Sequence, residues 1–189
     1  MLLALGDDEA QEASSDFWRH YERGYFAHLG IEAESIDAAV AAFNAHAATL
    51  PLGSLWRRTL AENIVAFDRI ARRFPVAIVS NNDGSAERQL RELAICQVGE
   101  GPFTRVAAVV DSSVVGVAKP DPAIFAPALA ALGTVASRTL YVGDTVHADV
   151  RGAMAAGMPV VQLDPYDLHT DFDHDRLPDV TALADLLGA

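Results

Sequence analysis

From Pro75 onward the chain alternates short apolar runs with amphipathic stretches, and that alternation restricts it to a small set of folds. The apolar runs are Val76 to Val79, Val106 to Val110, Thr139 to Val142 and Val160 to Leu163. Between and after them lie Ser85 to Leu93, Pro122 to Leu132 and Ala148 to Ala156, each spaced to place apolar residues on one helical face. Short aliphatic runs suit strands buried on both faces, and parallel strands need long crossovers, usually helical, to return the chain. The pattern predicts an α/β fold, a parallel sheet covered by helices, with ligands expected beyond the carboxyl ends of the strands.

The segment before this region reads differently. From Glu9 to about Phe67 the spacing is helical: Phe17, Tyr21 and Phe26 recur at near-helical spacing, Ala38 to Ala48 is dense in alanine, and Leu55 to Ile70 is amphipathic. Three helices are expected, with Pro51-Leu52-Gly53-Ser54 breaking the run and Ser54 capping the third. The predicted organisation is a helical region over 1–67 and an α/β core over 68–189. A polar stretch from Asp164 to Asp175 and a closing helix from Thr181 to Leu187 complete it.

Composition narrows the partners. Across 189 residues, 14 Lys and Arg stand against 26 Asp and Glu, a formal charge of -12, which opposes attraction to phosphate backbones and anionic bilayers. Neither nucleic acid nor membrane is an expected partner. The single cysteine, Cys96, has no internal partner and reads as a buried thiol in a reducing, cytoplasmic setting. Met1 to Leu5 is apolar but is halted by Gly6-Asp7-Asp8, too short for a signal sequence. No feature sets an oligomeric state.

Three groups of residues fall at strand ends and carry chemistry. In Val79-Ser80-Asn81-Asn82 a hydroxyl stands where a loop opens into a helix, placed to donate to an anionic oxygen; the plainer reading is a helix cap by Asn82 or Asp83. In Gly116-Val117-Ala118-Lys119-Pro120-Asp121-Pro122 two prolines fix the backbone around one lysine, and Asp121 caps the helix that Pro122 begins. An ammonium held this way can neutralise a phosphoryl group and a carboxylate together, although an ordinary surface lysine has the same local sequence. In Gly143-Asp144-Thr145-Val146-His147-Ala148-Asp149 two carboxylates lie within reach of one hard cation, unless either merely caps the following helix.

In this order and spacing, Ser80, Lys119 and Asp144 resemble motifs II, III and IV of the haloacid dehalogenase-like hydrolase superfamily. Supporting residues agree: Phe103 with Val106 to Val110, Ile124-Phe125 after Pro122, Arg151-Gly152-Ala153, and Ala156-Gly157-Met158. The stretch is similar to the subset with a helical cap inserted after the first strand, and the resemblance runs from about Ile64 to the end of the chain. It implies a Rossmann-like sheet in which Ser80 binds phosphoryl oxygens, Lys119 stabilises their charge, and Asp144 ligates Mg2+ in a loop supported by Asp149. Asn81 is placed beside Ser80 as a further contact to substrate. In that family an aspartate ending the first strand attacks phosphorus and a second, two residues on, serves as acid and base.

That first motif has no match here. Leu2 to Leu5 followed by Asp7-Asp8-Glu9 lacks the Gly-Thr turn, and Asp171-Phe172-Asp173 follows no apolar strand, so it reads as a polar loop. Because the family's first strand is central, between the strands ending at Ser80 and at Asp144, its loss should leave a gap in the sheet. Either the neighbours close on each other, another segment fills the slot, or the natural chain begins upstream of Met1; the last is the expectation.

The sequence therefore predicts a Mg2+-dependent phosphatase of small phosphorylated metabolites in a chain that lacks its nucleophile and is inactive as written. One alternative is a noncatalytic domain that binds a phosphorylated ligand or a protein. Another is 2-haloacid dehalogenation, which needs no metal and leaves the acidic loop without a task. Trp18, Trp56 and Arg57 are candidates to line a pocket, though helix packing accounts for them as well.

Overall fold

The computed structural model describes residues 15–49, 59–167, 169 and 173–189. The chain divides into two compact units, Met1–Leu55 and Trp56–Ala189. Leu2 to Leu5, the Pro51 to Ser54 breaker, Trp56, Arg57 and Asp171-Phe172 lie outside the described residues.

In the first unit, α1 (Ser15–His28) and α2 (Ile36–Thr49) form a helical hairpin. Gly30, with φ of 83°, ends α1, and its N–H bonds back to the carbonyl of Ala27. Phe26 meets Phe43 edge-on at 5.9 Å, Asn44 donates to Glu22 at 3.0 Å, and Arg23 pairs with Asp37. Ile36 and Val40 of α2 are buried.

The third expected helix is α3 (Ala61–Arg73), and it belongs to the second unit. Ala66 and Ile70 on its inner face pack on Leu183 and Ala184 of α8 (Val180–Leu186), and Arg69 reaches Asp185 at 2.9 Å. The expected boundary between 67 and 68 thus falls inside a helix that packs as one piece.

Among the described residues seven short strands form three parallel sets. Strand β1 (Ile78–Ser80) pairs with β4 (Val109–Asp111), and β2 (Cys96–Val98) with β3 (Thr104–Val106). The third set runs β5 (Tyr141–Gly143), β6 (Val160–Leu163), β7 (Asp175–Leu177). The run expected as one strand, Val106 to Val110, serves two ladders, because the main chain at Ala107 and Ala108 turns to bond Val76 and Ile78. Crossovers are α4 (Ala86–Glu92), α5 (Ser112–Val115), α6 (Ala126–Leu132) preceded by a 3-10 turn at Pro122–Phe125, and α7 (Gly152–Ala155). The main core gathers Val110, Ile124, Phe125, Ala128, Ala153 and Met158. Cys96 is fully enclosed, and burial pushes its thiol up to about 11, so it is an inert packing residue.

Among the described residues no strand joins β1 to β5. A parallel strand bonds each neighbour through alternate residues. Ile78 and Tyr141 bond outward, to Ala108 and Pro159, so the peptide groups of Val79 and Val142 are turned toward the gap. The Val79 carbonyl accepts from Lys119 Nζ at 3.2 Å instead of from a strand. Of the three outcomes expected for the gap, closure of β1 on β5 is not what the described residues do. No helix among them is long and apolar enough to cross a membrane.

Candidate functional site

The site is organised around a buried carboxylate. After β5 the chain passes Asp144 and Thr145 and enters a π-type turn, Val146–Arg151, in which the Val150 N–H reaches back five residues to the Thr145 carbonyl. That widened turn sets Asp149, 4% exposed at its side chain, beneath the loop it follows. Its Oδ2 accepts from the N–H groups of Asp144 (3.1 Å) and Thr145 (3.0 Å) and from Thr145 Oγ1 (2.8 Å). Its Oδ1 accepts from Lys119 Nζ (2.7 Å) and Tyr141 Oη (2.8 Å). Gly143 is glycine because of this packing: a Cβ there would fall 2.4 Å from Asp149 Cγ.

Burial alone would raise Asp149, but the Lys119 charge and the Thr145 donors outweigh it and hold the carboxyl down to about 2. Asp144 moves the other way, pushed up by the protein crowded around its carboxyl and by the Asp149 charge beside it. Burial, with Asp149 adjacent, also pushes the Tyr141 phenol up, so it stays a donor.

Lys119 is fixed at both ends. Its main chain is bracketed by the Asn81 side chain, whose Oδ1 accepts from Lys119 N at 2.8 Å while Nδ2 donates to Lys119 O at 2.9 Å. Its ammonium, 10% exposed, has all three protons directed at named acceptors: Asp149 Oδ1, Tyr141 Oη at 3.0 Å, and the Val79 carbonyl. The Lys119-Pro120 bond is cis, and Gly152 lies so close that a Cβ there would be 3.1 Å from Pro120 Cα. Asp121 caps the following turn through Ala123 N at 2.9 Å, as the sequence predicts, and Phe125 from that turn packs edge-on against Tyr141 at 5.0 Å, aiming its hydroxyl.

Ser80 ends β1 at the start of a loop that Asp111 holds. The buried Asp111 carboxylate accepts from Gly84 N (3.0 Å), Ala86 N (3.1 Å) and Ser113 N (3.0 Å), while Ser112 and Ser113 bind the Asn82 carbonyl. The loop is built like an anion cradle already occupied by its own carboxylate.

Ser80, Lys119, Asp144 and Asp149 line one cavity of about 180 Å³ in the gap between β1 and β5, whose walls are Ile78, Val79, Val142 and Gly143. Asn81 does not line it: the residue expected to touch substrate instead positions the lysine. Asp149, expected at the metal, has both oxygens taken by protein donors, so Asp144 is the carboxylate left to a cation. No group of three or more His, Cys, Asp and Glu gathers in ligating geometry among the described residues. Mg2+ fits such a corner, since it characteristically takes one or two carboxylates and fills its octahedron with water and phosphate oxygens. A divalent charge beside Asp144 would also favour the charged carboxylate that burial and the Asp149 charge disfavour. Tyr141 and Asp111 were not found by sequence reasoning. Asp111-Ser112-Ser113 carries a readable capping pattern, whereas nothing local marks Tyr141.

A family model of haloacid dehalogenase-like hydrolases matches residues 3–157. The chain is 37% identical over 99 residues to a phosphoserine phosphatase of Thermus thermophilus, covering 52% of this chain and 38% of that protein. It is 46% identical over 55 residues to a glyceraldehyde 3-phosphate phosphatase of Methanopyrus kandleri, covering 29% and 24% respectively. The chain thus spans well under half the length of these curated relatives. Among solved structures, a HAD phosphatase from Thermococcus onnurineus superposes with TM-score 0.61 at 20% identity, covering 69% of this chain and 59% of its own. A 2-haloacid dehalogenase from Pseudomonas syringae superposes with TM-score 0.57 at 20% identity, covering 99% and 79%. At such identity the structures establish the α/β fold alone.

Proposed function

Because the chain belongs to the haloacid dehalogenase-like hydrolases, we propose that its cavity is the phosphoryl-binding and cation-binding part of a Mg2+-dependent phosphatase for small phosphorylated metabolites. The observation that carries this reading is the meeting of Ser80, Lys119, Asp144 and Asp149 on one cavity at the strand ends. The Ser80 hydroxyl donates to a phosphoryl oxygen. Lys119, immobilised by Asp149, Tyr141 and Asn81, supplies a positive charge that cannot swing away. Asp144 would hold Mg2+, which would supply positive charge to the phosphoryl oxygens. The names of the two curated relatives support phosphate over halide as the leaving chemistry.

The described cavity offers two carboxylates, and each has a task other than attack: Asp149 is saturated with donors and Asp144 serves the cation. Turnover then requires a carboxylate from outside the described residues. This same feature favours, as a second reading, a domain that binds a phosphorylated ligand without hydrolysing it.

Both readings are tested by titrating inorganic phosphate with Mg2+ into the chain and its Lys119→Met and Asp144→Asn variants, then assaying phosphomonoester hydrolysis on a panel that includes phosphoserine and glyceraldehyde 3-phosphate. Phosphate should bind the parent and bind both variants more weakly. Hydrolysis by the chain selects the phosphatase over the binding domain, phosphate binding without hydrolysis selects the binding domain, and equal binding by all variants overturns the site.

A further inference from the structure

Gln162 lies in the middle of β6, opposite Gly143 in the ladder, with no solvent exposure. A fully buried amide is costly unless satisfied, and here its hydrogen bonds fix its orientation. Nε2 donates to the Asp144 carbonyl at 2.9 Å. Turning the amide over would set Oε1 against that carbonyl oxygen, so Nε2 must face it and Oε1 must face the other side. His174 Nε2, at 2.7 Å from Oε1, is therefore the donor of that pair, and His169 Nδ1, at 3.2 Å from Nε2, is the acceptor of the other.

The carbonyl of Asp144 shares its peptide plane with the N–H of Thr145, which donates to Asp149 Oδ2. That plane is gripped from both sides, by Gln162 on its oxygen and by Asp149 on its nitrogen. Holding it fixes the main-chain torsion that directs the Asp144 carboxylate. The histidines are in turn tied to the segment after β6: His169 N donates to the buried Asp164 carboxylate at 2.9 Å, Arg176 binds the His169 carbonyl, and Asp164 N bonds to the Leu177 carbonyl at 2.9 Å.

We propose that Gln162 is a positioning residue for the Asp144 loop, coupling the orientation of the cation-binding carboxylate to the segment that carries His169 and His174. The consequence for Mg2+ rests on the function proposed above; the mechanical coupling does not.

The test is amide hydrogen exchange in the full chain without added metal, followed by Mg2+ titration. Gln162→Leu removes all three bonds, and Gln162→Glu keeps the shape but loses both donors. Each should accelerate exchange at Asp144 and Thr145 roughly tenfold, the scale of one lost hydrogen bond, while β4 amides keep parental rates. His174→Ala, which leaves Gln162 in place and changes a half-buried position, should give a smaller acceleration at the same two amides, roughly threefold, so the proposal stays testable if the Gln162 variants fold poorly. Unchanged exchange at Asp144 and Thr145, or equal acceleration throughout β4, β5 and β6, overturns it. If the parent binds no Mg2+ while the exchange pattern holds, the functional reading fails and the coupling stands.

Discussion

Replacing Asp149 with asparagine changes one atom and should remove much of the second unit's stability. Asp149 receives two sets of donors, Lys119 Nζ and Tyr141 Oη on Oδ1, and Asp144 N, Thr145 N and Thr145 Oγ1 on Oδ2. An asparagine has a single oxygen, so whichever set it serves, its NH2 confronts the other. The ammonium of Lys119, 10% exposed, also loses its counter-charge. Removing one partner of a buried pair costs about 3–5 kcal/mol, against a whole-domain stability of about 5–15 kcal/mol. At roughly 2–4 °C per kcal/mol for a chain of this size, melting followed by circular dichroism should fall by about 6–20 °C. Lys119→Met should cost less, about 1–3 kcal/mol, because four donors remain on Asp149. The double variant should be more stable than the sum of the two losses implies, with a coupling of about 2 kcal/mol. An Asp149→Asn protein within 1 kcal/mol of the parent, or strictly additive variants, would refute the claim that this pair organises the site.

Gly143→Ala should destabilise by about 3 kcal/mol in urea unfolding, since its Cβ would occupy the Asp149 carboxylate's space at 2.4 Å; a loss under 1 kcal/mol contradicts that packing. Asp111→Ala strips the acceptor from Gly84, Ala86 and Ser113, and should cost about 3 kcal/mol while accelerating amide exchange at Gly84 and Ala86. Acid titration of stability has a defined sign: Asp149, lowered in the folded chain to about 2, contributes roughly 2 kcal/mol that is fully present above the unfolded carboxyl value near 4 and is lost as pH falls from there towards 2. Asp144, raised on folding, acts oppositely, its penalty appearing as pH rises through 4; in Asp144→Asn that penalty should be absent, which the difference between the two stability curves measures. Mg2+ at a hundred times its dissociation constant should stabilise the parent by about 2.7 kcal/mol at neutral pH and leave Asp144→Asn unchanged, as read by melting.

Much of the core was legible because its signals are local. Apolar runs ending at Ser80, at Asp111 and at Gly143 mark strands by themselves, and Lys119-Pro120-Asp121-Pro122 carries its own turn and cap. What stayed hidden depends on partners distant in sequence. Strand β7 is Asp175-Arg176-Leu177, polar by composition, and exists through its ladder to β6. Asn81 reads as a site residue because it adjoins Ser80, yet its amide is directed at a backbone 38 residues away. Tyr141 reads as an ordinary strand aromatic until Phe125 and Asp149 aim its hydroxyl. The helical region was recognised by periodicity, but periodicity does not say which helix packs where, and α3 went to α8 because Ala66 and Ile70 find their apolar partners there.

The central claim is that Ser80, Lys119 and Asp144 enclose one place for a phosphoryl group and a cation. The direct measurement is a crystal structure of the chain soaked with Mn2+ and tungstate, with anomalous scattering locating both. The account predicts manganese against the Asp144 carboxylate and tungstate within hydrogen-bonding distance of Ser80 Oγ, beside the Lys119 ammonium. Manganese bound away from Asp144, or tungstate seated elsewhere with this cavity empty, would contradict it.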